Sequence, residues 1–217
     1  MKNALTLAAA VALTGGTAMT HAYEAGDWIL RAGAVTVAPD SESDSIPELG
    51  GVTVDVGDDT QLSIIPVYMA TDSWGIELLA ATPFQHSIDV NEAPMTAGST
   101  KHLPPTLTVQ WYPRGGSTGW QPYVGVGLNY TIFFDEEVDS DIEGMVGKAD
   151  LDDSFGLSAS AGVDIPFGEH WNFNAGIWYI DIDTTATVTL KEANNAKVKF
   201  DVDIDPWVYN IGIAYKF

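Results

Sequence analysis

Residues 205–217 alternate at period two. Trp207, Tyr209, Ile211, Ile213, Tyr215 and Phe217 share one face. Val208, Asn210, Gly212, Ala214 and Lys216 share the other. One face is large and apolar, the other small or polar, so the two sides of this strand meet different surroundings. In a soluble sandwich the large face would meet a core and the small face water. In an outer-membrane barrel the large face meets lipid and the small face a lumen. An aromatic at the last position suits the barrel, whose final strand must close on its first and leave no free edge.

The opposite end of the chain separates these two architectures. Lys2 is a short positive region, residues 4–13 are rich in Ala and Leu, and Thr20-His21-Ala22 places a small residue where a signal peptidase cuts. This pattern predicts a secretory signal over 1–22 and a barrel domain over 23–217. No later stretch has the ~18 uninterrupted apolar residues of a spanning helix. The exported chain is then either soluble or a membrane barrel.

Composition excludes several functions. There is no cysteine, so neither a disulfide framework nor thiolate chemistry is available. Beyond residue 22, 30 acidic residues face 8 basic ones, a net charge of −22. Phosphate binding needs clustered cations, so nucleic acid is excluded as a partner. The acids crowd into 40–59 and 135–153, which read as solvated loops.

Eight alternating segments can be placed, at 28–37, 60–70, 74–85, 102–112, 121–134, 155–165, 171–183 and 207–217. The connections between them alternate long and short, as outer loops and periplasmic turns do. Most segments have the ten or so residues that a tilted strand needs to cross hydrocarbon. Residues 91–100 read as loop. Trp28, Tyr68, Trp74, Trp111, Trp171, Tyr215 and Phe217 gather at the short-turn end as an interfacial girdle. The predicted fold is all-β: one eight-stranded antiparallel transmembrane barrel in the outer membrane of a Gram-negative bacterium.

At this point the chain resembles the OmpW family of outer-membrane barrels. The matching pieces are Tyr68-Met-Ala-Thr-Asp72, Ile76-Glu-Leu-Leu-Ala-Ala-Thr-Pro-Phe84, His102-Leu-Pro-Pro-Thr-Leu107, Pro122-Tyr-Val-Gly-Val-Gly-Leu-Asn-Tyr-Thr131, Phe133-Phe-Asp135, Trp178-Tyr-Ile-Asp-Ile-Asp-Thr-Thr-Ala186 and Asp205-Pro-Trp-Val208. They run in order over nearly the whole exported chain. The resemblance implies an apolar passage for small hydrophobic molecules, with alkane-importing relatives as the functional analogy.

Sorting the inward residues by depth divides the lumen. Near the periplasmic end lie Arg31, Glu77, Asp164 and Lys216, with several amides. These are expected to fill the space and pair with one another, since an eight-stranded interior is only as wide as its side chains and buried charges need partners. Nearer the outer end lie Val35, Val37, Leu79 and Ala81, together with Pro83, Phe133, Trp178 and Ile180. This apolar set either lines a pocket for hydrophobic solutes or packs on itself as a plug. A water-filled pore would be polar along its whole length.

A solute in the upper lumen would meet the polar lower lumen and must leave sideways into lipid. Pro83, Pro104 and Pro105 stand at facing strand ends. Proline gives no N–H to a ladder, so they predict a lateral opening, with apolar Leu79, Phe84 and Leu103 around it. The alternative is that they only end strands above the membrane.

Chemistry is sparse. His86, Ser87, Asp89 and His102 flank one outer loop, but no nucleophile motif surrounds Ser87. The histidines are expected to meet water or lipid headgroups, and the chain is not expected to be an enzyme. Residues 139–150 half match an EF-hand loop, with Glu at the fifth position and Asp at the twelfth. No dedicated metal site or cofactor is predicted, only loose divalent-cation binding by the acidic outer loops. The expected function is a passive channel for small hydrophobic solutes. The runner-up is a non-transporting structural or surface-binding barrel.

Overall fold

A computed structural model describes residues 22–40, 42–43, 53–91, 95–139, 144–191 and 194–217. The predicted signal over 1–22 lies, but for Ala22, outside them, and so does part of the EF-hand-like segment. Eight strands form the barrel: β1 (Trp28–Ala38), β4 (Asp59–Thr71), β5 (Trp74–Ala81), β8 (Thr106–Trp111), β9 (Gln121–Val138), β11 (Ser154–Pro166), β12 (Trp171–Ile180) and β15 (Trp207–Lys216). Each pairs antiparallel with its neighbours. The seam closes where β15 pairs with β1, from Ile29↔Lys216 to Ala38↔Trp207.

Alternation positions these side chains. Leu62, Ile64, Val126, Leu157 and Ile211 are exposed on the outer wall, while Ile29, Arg31, Ile65, Glu77 and Asp164 are buried in the lumen. A lipid-facing surface accounts for so many exposed apolar residues. At the periplasmic end Trp28 lies 5.1 Å from Tyr68, and Trp171 lies 4.8 Å from Tyr215. A second aromatic belt stands at the outer end, where Tyr179 meets Trp207 at 5.2 Å. The Tyr130 and Tyr179 hydroxyls donate to Asp153 and Asp205, the arrangement of ring in the apolar layer and hydroxyl in the polar one.

The strands do not stop at the membrane surface. β6 (Phe84–Val90) and β7 (Met95–Leu103) pair with each other, β6 also with β3 (Val54–Val56), and β7 with the upper part of β9. Opposite them, β10 (Val146–Leu151), β13 (Asp183–Leu190), β14 (Ala196–Asp203) and the short β2 (Glu42–Ser43) form a four-stranded sheet. Residues 95–100 are therefore strand, not loop. Their weak sequence signal has a cause. Above the membrane the outside is water, so the alternation reverses and its apolar side turns inward. In β6, Phe84 and His86 are buried while Gln85, Ser87 and Asp89 are exposed.

The reversal passes through Thr82 and Pro83, which lie outside either strand. Ala81 and Phe84 both face inward, three residues apart, where an unbroken strand would place inward residues two apart. One extra residue flips the phase. Phe84 thus points into the molecule, and one expectation is corrected: Pro83 is exposed and does not line the lumen.

Candidate functional site

The lower lumen is organised around Arg31, which is wholly buried. Its Nη1 donates to Glu77 Oε2 at 2.5 Å, and its Nη2 and Nε donate to Asp164 at 2.7 and 3.2 Å. A guanidinium gripping one carboxylate with two donors has fixed orientation as well as charge. Nη2 also donates to the Tyr112 hydroxyl at 2.9 Å, and the guanidinium lies 4.3 Å over the Tyr123 ring. Asn174 Nδ2 donates to Asp164 at 2.8 Å, Asn210 donates to Asn174 at 3.0 Å, and Ser63 donates to Asn210 at 2.6 Å. Two glycines make room for the large rings. A Cβ at Gly162 would stand 2.3 Å from the Tyr123 hydroxyl, and one at Gly176 would stand 2.6 Å from the Trp178 ring.

Lys216 does not join this group. It pairs with Asp27 at 3.2 Å and donates to the Ala22 carbonyl at 2.8 Å, at the periplasmic mouth. Tyr23, which sequence reasoning passed over, fills that mouth. Its hydroxyl donates to Asp164 at 2.9 Å and its ring meets Tyr112 edge-on at 5.6 Å. Nothing in its local pattern marks it, because it precedes the first alternating segment.

Trp178 caps the polar set by donating from Nε1 to Glu77 at 3.1 Å. Above it Val35, Val37, Ile65, Leu79, Ile180 and Val208 form one buried apolar cluster with Phe84 and Phe133, and Ala81 packs against it. At barrel level the predicted lining residues thus mostly pack on one another. The open space lies higher. A cavity of about 140 Å³ lies between the two outer sheets and is lined by Val54, Val56, His86, His102, Phe133, Val146, Leu151, Phe200 and Val202 among others. Of the eight residues expected to line a passage, Phe133 reaches it. Val35, Val37, Leu79 and Ala81 instead line a small gap of about 10 Å³ with Phe84, Pro104 and Val208. Phe84 stacks on His102 at 5.4 Å, and the two rings stand between cavity and gap.

That gap adjoins a break in the wall. The β5–β8 ladder ends at Leu79↔Thr106, and pairing of β6 with β7 begins at Phe84↔His102. Pro104 is buried beside the gap, while Pro83 and Pro105 are exposed. None of the three has an N–H to leave unpaired in lipid. The Pro104 and Pro105 carbonyls accept from the Thr106 hydroxyl at 3.0 Å and the Tyr130 amide at 3.1 Å.

The histidines differ from expectation. His86 and His102 are 2% and 4% exposed and stack at 4.8 Å with 13° between their planes. They reach neither water nor headgroups, because the outer sheets fold over them. Ser87 is exposed on the opposite face of β6 from His86, so the two form no nucleophile–base pair. Outside the predicted acidic loops, carboxylate oxygens of Asp181, Asp183 and Asp205 lie within 4.8 Å of one another.

The OmpW family model matches residues 24–217. The chain belongs to the OmpW family. Outer membrane protein W of Escherichia coli is 41% identical over 98% of this chain and 99% of its own. The crystal structure of the outer membrane protein OprG from Pseudomonas aeruginosa is 44% identical, covers 91% of this chain and 99% of its own, and superposes with a TM-score of 0.85. At greater distance, the dibenzothiophene metabolism operon protein PahQ of Pseudomonas aeruginosa is 24% identical over 89% of this chain and 90% of its own. This OmpW-family member is accordingly an outer-membrane barrel.

Proposed function

We propose that this barrel passively admits small hydrophobic molecules from outside and releases them sideways into the bilayer. The carrying observation is the interrupted wall beside an apolar gap, below an apolar cavity. The solute enters the cavity between the outer sheets, passes Phe84, and leaves between β5 and β8 at Pro83, Pro104 and Pro105. Descent is blocked, because the Arg31 network fills the lower lumen and an apolar solute gains nothing by displacing polar groups that satisfy one another. The name of PahQ, which ties that relative to metabolism of an aromatic hydrophobe, fits this solute class.

The test uses cells lacking the chromosomal copy and measures entry of a hydrophobic solute. Replacing the three prolines by Val or Thr, or joining Ala81→Cys to Pro104→Cys in this cysteine-free chain, should slow entry. Entry at the parental rate in both variants would refute the lateral route.

A second reading, surface binding of divalent cations, draws support from the Asp181, Asp183 and Asp205 cluster. Burial and, next, the Asp181 charge raise the Asp183 pKa, a repulsion that a shared cation would relieve. Calcium-dependent stabilisation that Asp183→Asn abolishes would support it; identical melting with and without calcium would remove it.

A further inference from the structure

The cavity wall is mostly apolar, with Ser99, Thr100, Thr184, Glu136 and Glu137 also among its lining residues; two of its polar atoms stand apart. Nε2 of His86 and Nε2 of His102 are buried and have no hydrogen-bond partner among the described residues. Both side chains line the cavity. His86 Nδ1 lies 2.5 Å from the Gly57 carbonyl oxygen. A carbonyl only accepts, so this nitrogen carries the proton, and the neutral ring presents Nε2 as a bare acceptor. Burial, the largest influence, lowers the pKa of both histidines, so both stay neutral at pH 7. A polar acceptor left unpaired in such a space is costly, and a ligand that donates to it recovers that cost.

Two candidate ligands can be weighed. A single metal ion bound by both rings would have to lie in both ring planes, because imidazole lone pairs lie in plane. Stacked rings 13° from parallel offer no such point. A neutral donor needs only one ring. The space, about 140 Å³, is close to the ~150 Å³ of an apolar cavity that holds one benzene. One wall is a run of rings, with His86, His102 and Phe133 in succession at 4.8 and 5.8 Å.

We infer that the cavity selects monocyclic solutes carrying one hydrogen-bond donor, phenol-like molecules, through donation of their hydroxyl to His86 Nε2. The ring fills the apolar volume and the hydroxyl satisfies the orphan nitrogen. The inference deepens the uptake reading and rests on it for the solute's arrival.

The test compares phenol with toluene, which has similar bulk and no donor. With the full chain in nanodiscs, phenol should bind about tenfold more tightly than toluene, the size of one buried hydrogen bond. His86→Phe keeps a ring in the stack, removes the acceptor and should erase this preference. In the parent protein, phenol but not toluene should shift the ¹⁵N resonance of His86 Nε2, a readout independent of whether the variant folds. Equal affinities, or an unmoved resonance at saturating phenol, would overturn the inference. Solute entry into vesicles separates the two claims. Toluene entry without phenol preference defeats this inference alone; phenol binding without entry of either defeats the uptake reading alone.

Discussion

Trp178 Nε1 donates to Glu77 Oε1 at 3.1 Å, and this bond joins the two halves of the lumen. Below it Glu77, Asp164, Tyr112 and Tyr123 gather around Arg31, beside a second apolar cluster that includes Ile29, Val67 and Met69. Above it lies the main apolar cluster, with Thr106, Asn129 and Thr131 hydrogen-bonded to one another along one side. Trp178 belongs to both, with its nitrogen in the polar set and its rings in the apolar cluster. Trp178→Phe keeps most of the ring and removes the donor, leaving a buried carboxylate oxygen one partner short. A loss of about 1–3 kcal/mol in urea unfolding from detergent is expected. Arg31→Met strips the cation from both Glu77 and Asp164 and should cost more, about 3–5 kcal/mol. Unchanged midpoints in both variants would mean that the network carries no stability.

Phe84 is 1% exposed, lines the small gap and stacks on His102 at the cavity wall. Phe84→Ala should merge the two spaces. Entry of a hydrophobic solute should rise several-fold, while stability falls by about 3–5 kcal/mol as for other buried aromatics. Phe84→Trp should slow entry. Flux unaltered by both changes would place the path elsewhere.

Acid should loosen the outer sheets. Burial first, then the neighbouring His86, pushes the His102 pKa down from 6.5 to about 3; burial also lowers that of His86, opposed by its bond to Gly57 and by Asp59 and Asp58. Glu136 and Glu137 also stand at the cavity. An opened form would protonate near pH 6.5, so between pH 6.5 and 3 it binds more protons than the closed form. The closed form is therefore fully favoured above pH 6.5 and loses stability as pH falls towards 3. Amide hydrogen exchange, corrected for its intrinsic pH dependence, should show lower protection in β6 and β7 at pH 4.5 than at pH 7.5. β12 and β15 should keep theirs. Replacing both histidines by Phe should remove the difference; if it persists, the carboxylates are responsible.

Tyr23 closes the periplasmic mouth, where it is 2% exposed. Tyr23→Phe removes only the bond to Asp164 and should cost about 1 kcal/mol. Tyr23→Ala also empties the space against Tyr112 and should cost about 3–5 kcal/mol. Thermal unfolding followed by gel mobility distinguishes them. Equal effects would mean that the ring's packing contributes nothing beyond its hydroxyl.

The period-two pattern in the sequence was enough for the barrel. In a strand between lipid and lumen each residue's side is set by its parity, so Arg31, Glu77, Asp164 and Trp178 could be assigned to the interior from one strand at a time. Parity also located the apolar upper set, because the same rule holds up to the membrane surface.

What parity cannot report is which inward residues meet. Arg31 and Asp164 touch although 133 positions separate them, and Lys216, equally inward, turns to Asp27 because it lies at the mouth. Nor does it survive a change of solvent. At Thr82 and Pro83 one extra residue flips the phase, and beyond it water replaces lipid. Pro83 therefore faces out, Phe84 faces in, and residues 95–100 form a strand without an apolar outer face. The burial of His86 and His102 was decided only by tertiary structure. A polar outer face and a mixed inner one look like any wet hairpin until a second sheet, from β10, β13 and β14, closes over the inner face and removes it from water.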